Sequence, residues 1–109
     1  MALLKRKNRG TTPAPAAEEI VGTPITQVLA RQRVCVVGKV IRMTARPTSG
    51  EPALAVLISD DTGTVTAVWT GRRQIGGITL GRRIAIDGVP VKRADHLEFT
   101  NPGYTLLPR

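Results

Sequence analysis

The sequence predicts an all-β domain, a small five-stranded barrel preceded by a short helix and a disordered basic tail. Three observations carry this. Beyond residue 33, runs rich in Val, Ile and Thr replace helical spacing, and several alternate apolar with polar residues. Glycine, proline or Asx–Gly segments separate those runs. The length of 109 residues leaves room for one domain.

At the start of the chain, Lys5, Arg6, Lys7 and Arg9 cluster, and a Thr-, Pro- and Ala-rich stretch without apolar periodicity follows. Such a segment cannot bury enough surface to offset the ordering of its backbone. Residues 1–22 are therefore expected to be a mobile tail, either merely solubilising or touching phosphates. Thr23-Pro24 reads as an N-cap and a first-turn proline. Ile25, Val28 and Leu29 then fall on one face of a short helix that opens the folded domain, residues 23–109.

The strands follow in order. Residues 34–43 form the first, with Gly38 where a close-packed strand bends or bulges. Residues 53–59 and 64–70 form a hairpin about Asp60-Asp61-Thr62-Gly63, in which Asp caps local amides and Gly63 supplies a positive φ. Residues 82–89 form the fourth strand, and residues 97–100, extending toward 106, the fifth. The connection 71–81 has room for a helical turn or two. Five strands with an insertion after the third is the pattern of an OB-fold barrel. A sandwich wants about seven strands, and an SH3-like barrel usually lacks the long third connection.

Alternation assigns the faces. Leu54, Val56 and Ile58 with Val65, Ala67 and Trp69 are the larger apolar sets and belong in the core. The opposite face shows Ala55, Leu57 and Ser59 beside Thr64, Thr66, Val68 and Thr70. In OB-folds that outer face is where oligonucleotides lie.

Lys and Arg number 16 against 8 Asp and Glu, a formal charge of +8. Residues 25–109 keep 12 basic and 6 acidic side chains, so the tail does not explain the charge. Arg46 is placed in the loop after the first strand, and Lys92 and Arg93 in the last loop. Arg72, Arg73, Arg82 and Arg83 bracket the third connection, and Lys39 and Arg42 lie on the first strand. An OB-fold gathers these loops around one groove, which makes them candidate nucleic-acid contacts. Thr66 lies on the groove floor, and Tyr104 stands near the end of the fifth strand. Single-strand binders gain about 1–3 kcal/mol per base stacked on an exposed aromatic. The chain has three aromatics, Trp69, Phe99 and Tyr104, and none falls on the outer face of the second and third strands. Charge and backbone contacts are therefore expected to dominate, on single-stranded DNA or RNA rather than duplex. A protein-interaction module, accessory to a repair or translation assembly, is the alternative.

Several classes are excluded. No apolar run approaches the roughly 18 residues that cross a bilayer, and no hydrophobic stretch follows the basic N-terminus as in a secretory signal. Ala2 in place of Gly removes a myristoylation signal. These absences predict a soluble, cytoplasmic protein with no membrane partner. One cysteine, Cys35, and one histidine, His96, exclude an internal disulfide and a Cys/His zinc cage. A Gly-x-x-x-x-Gly-Lys phosphate loop is absent. Asp61-Thr62-Gly63 is the aspartic-protease tripeptide, but Thr64 and Thr66 after it read as an ordinary hairpin strand. Asp60 and Asp61 have no third carboxylate for magnesium and read as turn caps. Cys35 reads as a buried structural thiol and His96 as a loop residue. The expectation is a protein without catalysis, metal or cofactor.

Four segments in order carry a resemblance: Val34-Cys35-Val36-Val37-Gly38-Lys39-Val40, Asp60-Asp61-Thr62-Gly63, the run from Trp69-Thr70-Gly71-Arg72-Arg73 to Ile78, and Asn101-Pro102-Gly103-Tyr104. Over residues 32–107 the chain resembles small, stand-alone bacterial OB-fold proteins that bind nucleic acid. More distantly it is similar to the OB wedge domain of a branched-DNA helicase and to the anticodon-binding OB domain of class II aminoacyl-tRNA synthetases. The resemblance implies that Arg72 and Arg73 are the signature basic pair. The synthetase pattern has an aromatic and a Gln where this chain has Ala55 and Thr66, so anticodon-style base reading is not implied.

Overall fold

The structure, a computed structural model, describes residues 20–108 except 48 and 49. Most of the expected tail thus lies outside the described residues. A 3-10 turn, Ile25–Gln27, precedes seven strands: β1 Val34–Pro47, β2 Pro52–Ser59, β3 Thr64–Thr70, β4 Arg83–Gly88, β5 Val91–Arg93, β6 His96–Thr100 and β7 Gly103–Leu106. They form one sheet in the order β5-β6-β3-β2-β1-β4-β7. The all-β expectation holds, with one open sheet of seven strands among the described residues in place of a five-stranded barrel. Among the described residues no helix is long and apolar enough to cross a membrane.

The two extra strands have local causes. Val91–Arg93 was expected to be loop, but it forms a hairpin with β6 through Ala94, which takes a left-handed φ of 51°. The expected fifth strand breaks in two at Asn101, where φ is 50°. β6 runs parallel to β3, whereas β7 runs antiparallel to β4 at the far end of the sheet. The Asn101-Pro102 corner therefore joins strands on opposite flanks. The Asn101 amide donates to the Val68 carbonyl, and its side-chain Oδ1 accepts from the Thr70 amide at 3.0 Å. Trp69 Nε1 donates to the Pro102 carbonyl at 3.1 Å.

β1 serves two neighbours. Residues 34–39 pair with β4 and 39–47 with β2, and the register slips between Val40 and Arg42. Ile41 is the extra residue, half exposed at 47%. The bulge sits three residues beyond Gly38, the expected bend. Gly38 is needed for a different reason: a Cβ there would lie 2.6 Å from the Ser59 carbonyl oxygen. β1 extends to residue 47, so Arg46 is a strand residue rather than a loop residue.

Leu54, Val56, Ile58, Val65, Ala67 and Trp69 all face the core as the alternation predicts, joined by Val36, Val40, Ile84, Ile86 and Phe99. Ile75 and Ile78 close one end of it. They come from the 71–81 connection, which forms two β-turns rather than helical turns. Gly77 and Gly81, with φ of 84° and 82°, set those turns.

The expected N-terminal helix is a single turn. Ile25 and Val28 are buried as predicted, but Leu29 is 59% exposed and Val28 is already extended. Three residues are too few to offset helix nucleation, and the turn is tied to the body instead. Thr23 provides no side-chain cap; its amide donates to the Cys35 carbonyl. The cap comes from Asp60, whose Oδ2 accepts the Ile25 amide at 2.9 Å, while the Thr62 hydroxyl accepts the Thr26 amide. Asp60 Oδ1 accepts the amides of Thr62 and Gly63 and the Thr62 hydroxyl. Gly63 does not take the positive φ expected of it. Its hydrogen leaves room for Ile25, whose Cγ2 lies 3.2 Å from where a Cβ would stand.

Two outcomes are expected. Replacing Trp69 with Phe removes the indole donor and leaves the Pro102 carbonyl unpaired in the interior. Urea unfolding should show a loss of about 2–3 kcal/mol; a loss below about 0.5 kcal/mol would mean the corner does not need that bond. The second concerns acid. Partial burial opposes ionisation of Asp60, but the Thr62 hydroxyl and the amides of Ile25, Thr62 and Gly63 outweigh it and hold its carboxyl below the ordinary value of 3.8. Between those two values the unfolded chain binds more protons, so this contribution is complete above 3.8 and fades as pH falls through the folded value. The Asp60→Asn variant should lack that component of acid sensitivity in unfolding curves taken across the same range.

Candidate functional site

The β1 bulge aims two cations at one face. Lys39 pairs with Ser59 before it and Arg42 with Leu57 after it, so both side chains leave the face opposite the core. Thr44 and Arg46 continue the row, opposite Ala55 and Ala53. Across β2, those residues meet Thr66, Val68 and Thr70 of β3. Arg42, Thr44, Arg46, Ala55, Leu57 and Thr66 line a groove of about 220 Å³.

The floor is less open than alternation implies. Ala53, Ala55 and Val68 form a second buried apolar cluster, and Thr66 is only 8% exposed. Small side chains in mid-sheet lie in the shadow of their long neighbours. The result is a shallow trough walled by arginines.

One residue beside this trough is not singled out by the sequence. Glu98 of β6 stands opposite Thr66 in the parallel ladder, and its side chain is 10% exposed. Arg46 Nη1 donates to its Oε1 at 3.4 Å, and His96 Nε2 lies 3.5 Å from the same oxygen. Arg93 Nε is 3.8 Å from Oε2. His96, expected in a loop, is the first residue of β6 and faces the same cluster. The available signal was Leu97-Glu98-Phe99, in which two inward apolar residues turn Glu98 outward beside Thr66.

The remaining candidates divide. Arg83 pairs with Lys39 across β1 and β4 and extends the cationic face. Arg93 joins it through Glu98. Arg72 and Arg73 are exposed on the connection after β3, which leaves the sheet where the Gly71 amide meets the Pro52 carbonyl. Neither has an ion pair among the described residues. Arg82 is half-buried, its Nε sealed from solvent without a hydrogen-bond partner. Lys92 is exposed on β5, in register with Leu97 rather than with the groove row. Tyr104 lies elsewhere, edge-on to Trp69 with ring centroids 5.7 Å apart, in a depression shared with Cys35, Ala85 and Asp87. None of the three aromatic rings faces the groove.

Cys35 is half-buried rather than fully buried. Burial, and then the Asp87 carboxylate, push its thiol above the ordinary value of 9.0. Asp61, the protease-like aspartate, is exposed, while Asp60 organises the turn. Among the described residues no three His, Cys, Asp or Glu side chains gather as a metal-binding group. No protein-family model matches the chain, and no curated protein matches it.

Cys35 is accordingly expected to react with iodoacetamide at pH 8 more slowly than a thiol in an unfolded peptide. Asp87→Asn should speed that reaction; an unchanged rate would show that Asp87 does not act on the thiol.

Proposed function

We propose that the chain is an OB-fold module that binds single-stranded DNA or RNA along the Arg42–Arg46 groove, chiefly through the phosphate backbone and without catalysis. Support for the fold comes from the parallel β3–β6 pair, from β1 shared between two neighbours, and from the corner that carries one chain segment to both flanks. The observation that carries the binding is the row Lys39, Arg42 and Arg46 on one face of a single strand, above a floor of small residues. An extended strand of phosphates can approach a floor without bulk, and each guanidinium can take two phosphate oxygens. Stacking has no platform there, which favours binding that tolerates most sequences. Arg83 and Arg93 lengthen the cationic face, and Arg72 and Arg73 are further contacts on the neighbouring loop.

One observation favours the second reading, a protein-docking accessory module. Leu80 is 65% exposed beside Met43 and the Gln74–Thr79 turns, an apolar depression remote in character from the charged groove.

Fluorescence polarisation with single-stranded DNA, duplex DNA and single-stranded RNA at two salt concentrations separates the two. The nucleic-acid reading expects affinity to fall steeply with salt, and the Lys39→Ala/Arg42→Ala double variant to flatten the log–log slope on single strands by about 1.4. An unchanged slope removes the groove from the interface. Absence of binding at either salt concentration leaves the docking reading.

A further inference from the structure

Glu98 stands beside the groove, against Thr66 and Arg46 of its lining, and phosphate binding does not use it. A carboxylate nine-tenths buried in a phosphate track repels the ligand, so backbone recognition alone gives no reason for it. Its protein partners also leave it under-filled. Arg46 at 3.4 Å, His96 at 3.5 Å and Arg93 at 3.8 Å are all longer than the roughly 2.7–2.9 Å of a tight charge-assisted hydrogen bond. Among the described residues, Oε2 has only the distant Arg93.

We propose that Glu98 accepts the two adjacent donors of a guanine base, N1–H and the exocyclic N2 amino group, in a single strand lying along the groove. The inference rests on the nucleic-acid reading above. Guanine alone among the common bases presents two neighbouring donors on its Watson–Crick edge, matched to the two oxygens of a carboxylate. Adenine and cytosine offer one amino group beside a ring acceptor. Thymine and uracil offer one N–H between two carbonyls, which a carboxylate repels. Arg46 and Arg93 exchange Glu98 for the flanking phosphates as the base arrives, so the guanidiniums stay ion-paired and the carboxylate stays hydrogen-bonded through the exchange. The site thus adds a guanine preference to backbone binding that is otherwise indifferent to sequence.

Three deoxythymidine oligonucleotides of about eight residues test this: unmodified, with two central guanines, and with two central hypoxanthines, which keep N1–H and lack the amino group. The guanine oligonucleotide should bind about tenfold more tightly than the unmodified one, with hypoxanthine between them. Glu98→Gln should erase that ranking and strengthen binding to the unmodified strand, because one negative charge has left the groove. Equal affinity of the native protein for all three overturns the guanine site while leaving backbone binding intact, and this comparison needs no variant. A ranking that survives Glu98→Gln also overturns it. No binding to any of the three or to their uridine-based RNA counterparts overturns the nucleic-acid reading, and the guanine site with it.

Discussion

The corner at Asn101-Pro102 is the constraint on which the rest of the structure depends. β6 and β7 are consecutive in the chain yet belong to opposite flanks of the sheet, so two residues must turn the chain from one flank to the other. Asn101 does this in a left-handed conformation that its short polar side chain tolerates. That side chain then stands in for backbone, extending the β3 ladder by bonding Thr70. Pro102 offers its carbonyl to Trp69, so the largest core side chain and the corner fix each other. Tyr104 covers the indole edge-on. The Asn-Pro-x-Tyr segment is therefore a structural joint.

With the flanks joined in this way, the outer face of β1, β2, β3, β6 and β5 has a defined content. It holds Lys39, Arg42, Arg46 and Arg93 with a single buried carboxylate among them. That carboxylate keeps the face from being uniformly cationic. It compensates Arg46 and Arg93, while Lys39 and Arg42 have no ion pair among the described residues, so the two ends of the cationic row differ in charge. The pairs with Glu98 are long, and the guanidiniums of Arg46 and Arg93 stay partly exposed while the carboxylate is nine-tenths buried. The partly exposed guanidiniums, rather than the carboxylate, are the side of the cluster that other anions can reach.

What could be read from the sequence was whatever rests on period-two alternation. Leu54, Val56 and Ile58 against Val65, Ala67 and Trp69 need only the hairpin between them, and their inward face follows from bulk. The Asp60 turn was likewise legible, because its chemistry is local. What escaped depends on contacts distant in sequence or on a short hairpin without turn residues. Nothing near Ile25 announces that its cap is a carboxylate 35 residues away, so the first turn looked like an ordinary capped helix. β5 is three residues long and turns through Ala94, a residue with no turn signature, so it read as loop. Glu98 could be placed on a face by its neighbours Leu97 and Phe99. Its burial could not, because the cover comes from Arg46 on another strand and from a hairpin that was not anticipated.

The bulge at Ile41 links these two kinds of information. Without the extra residue, strict alternation along β1 would carry Lys39 and Ile41 to one face and Val40 and Arg42 to the other. With it, Val40 enters the core at 1% exposure while Lys39 and Arg42 both leave by the outer face. The same insertion bends β1 so that its first half pairs with β4 and its second with β2. One residue thus sets the curvature of the sheet and the sign of the groove together. A change that straightened β1 would have to surrender either the packing of Val40 or the outward row of cations, because no single unbulged register keeps both. The cationic face is in this sense not a surface decoration added to an independent scaffold. It follows from the way the strand bends to be shared between two neighbours.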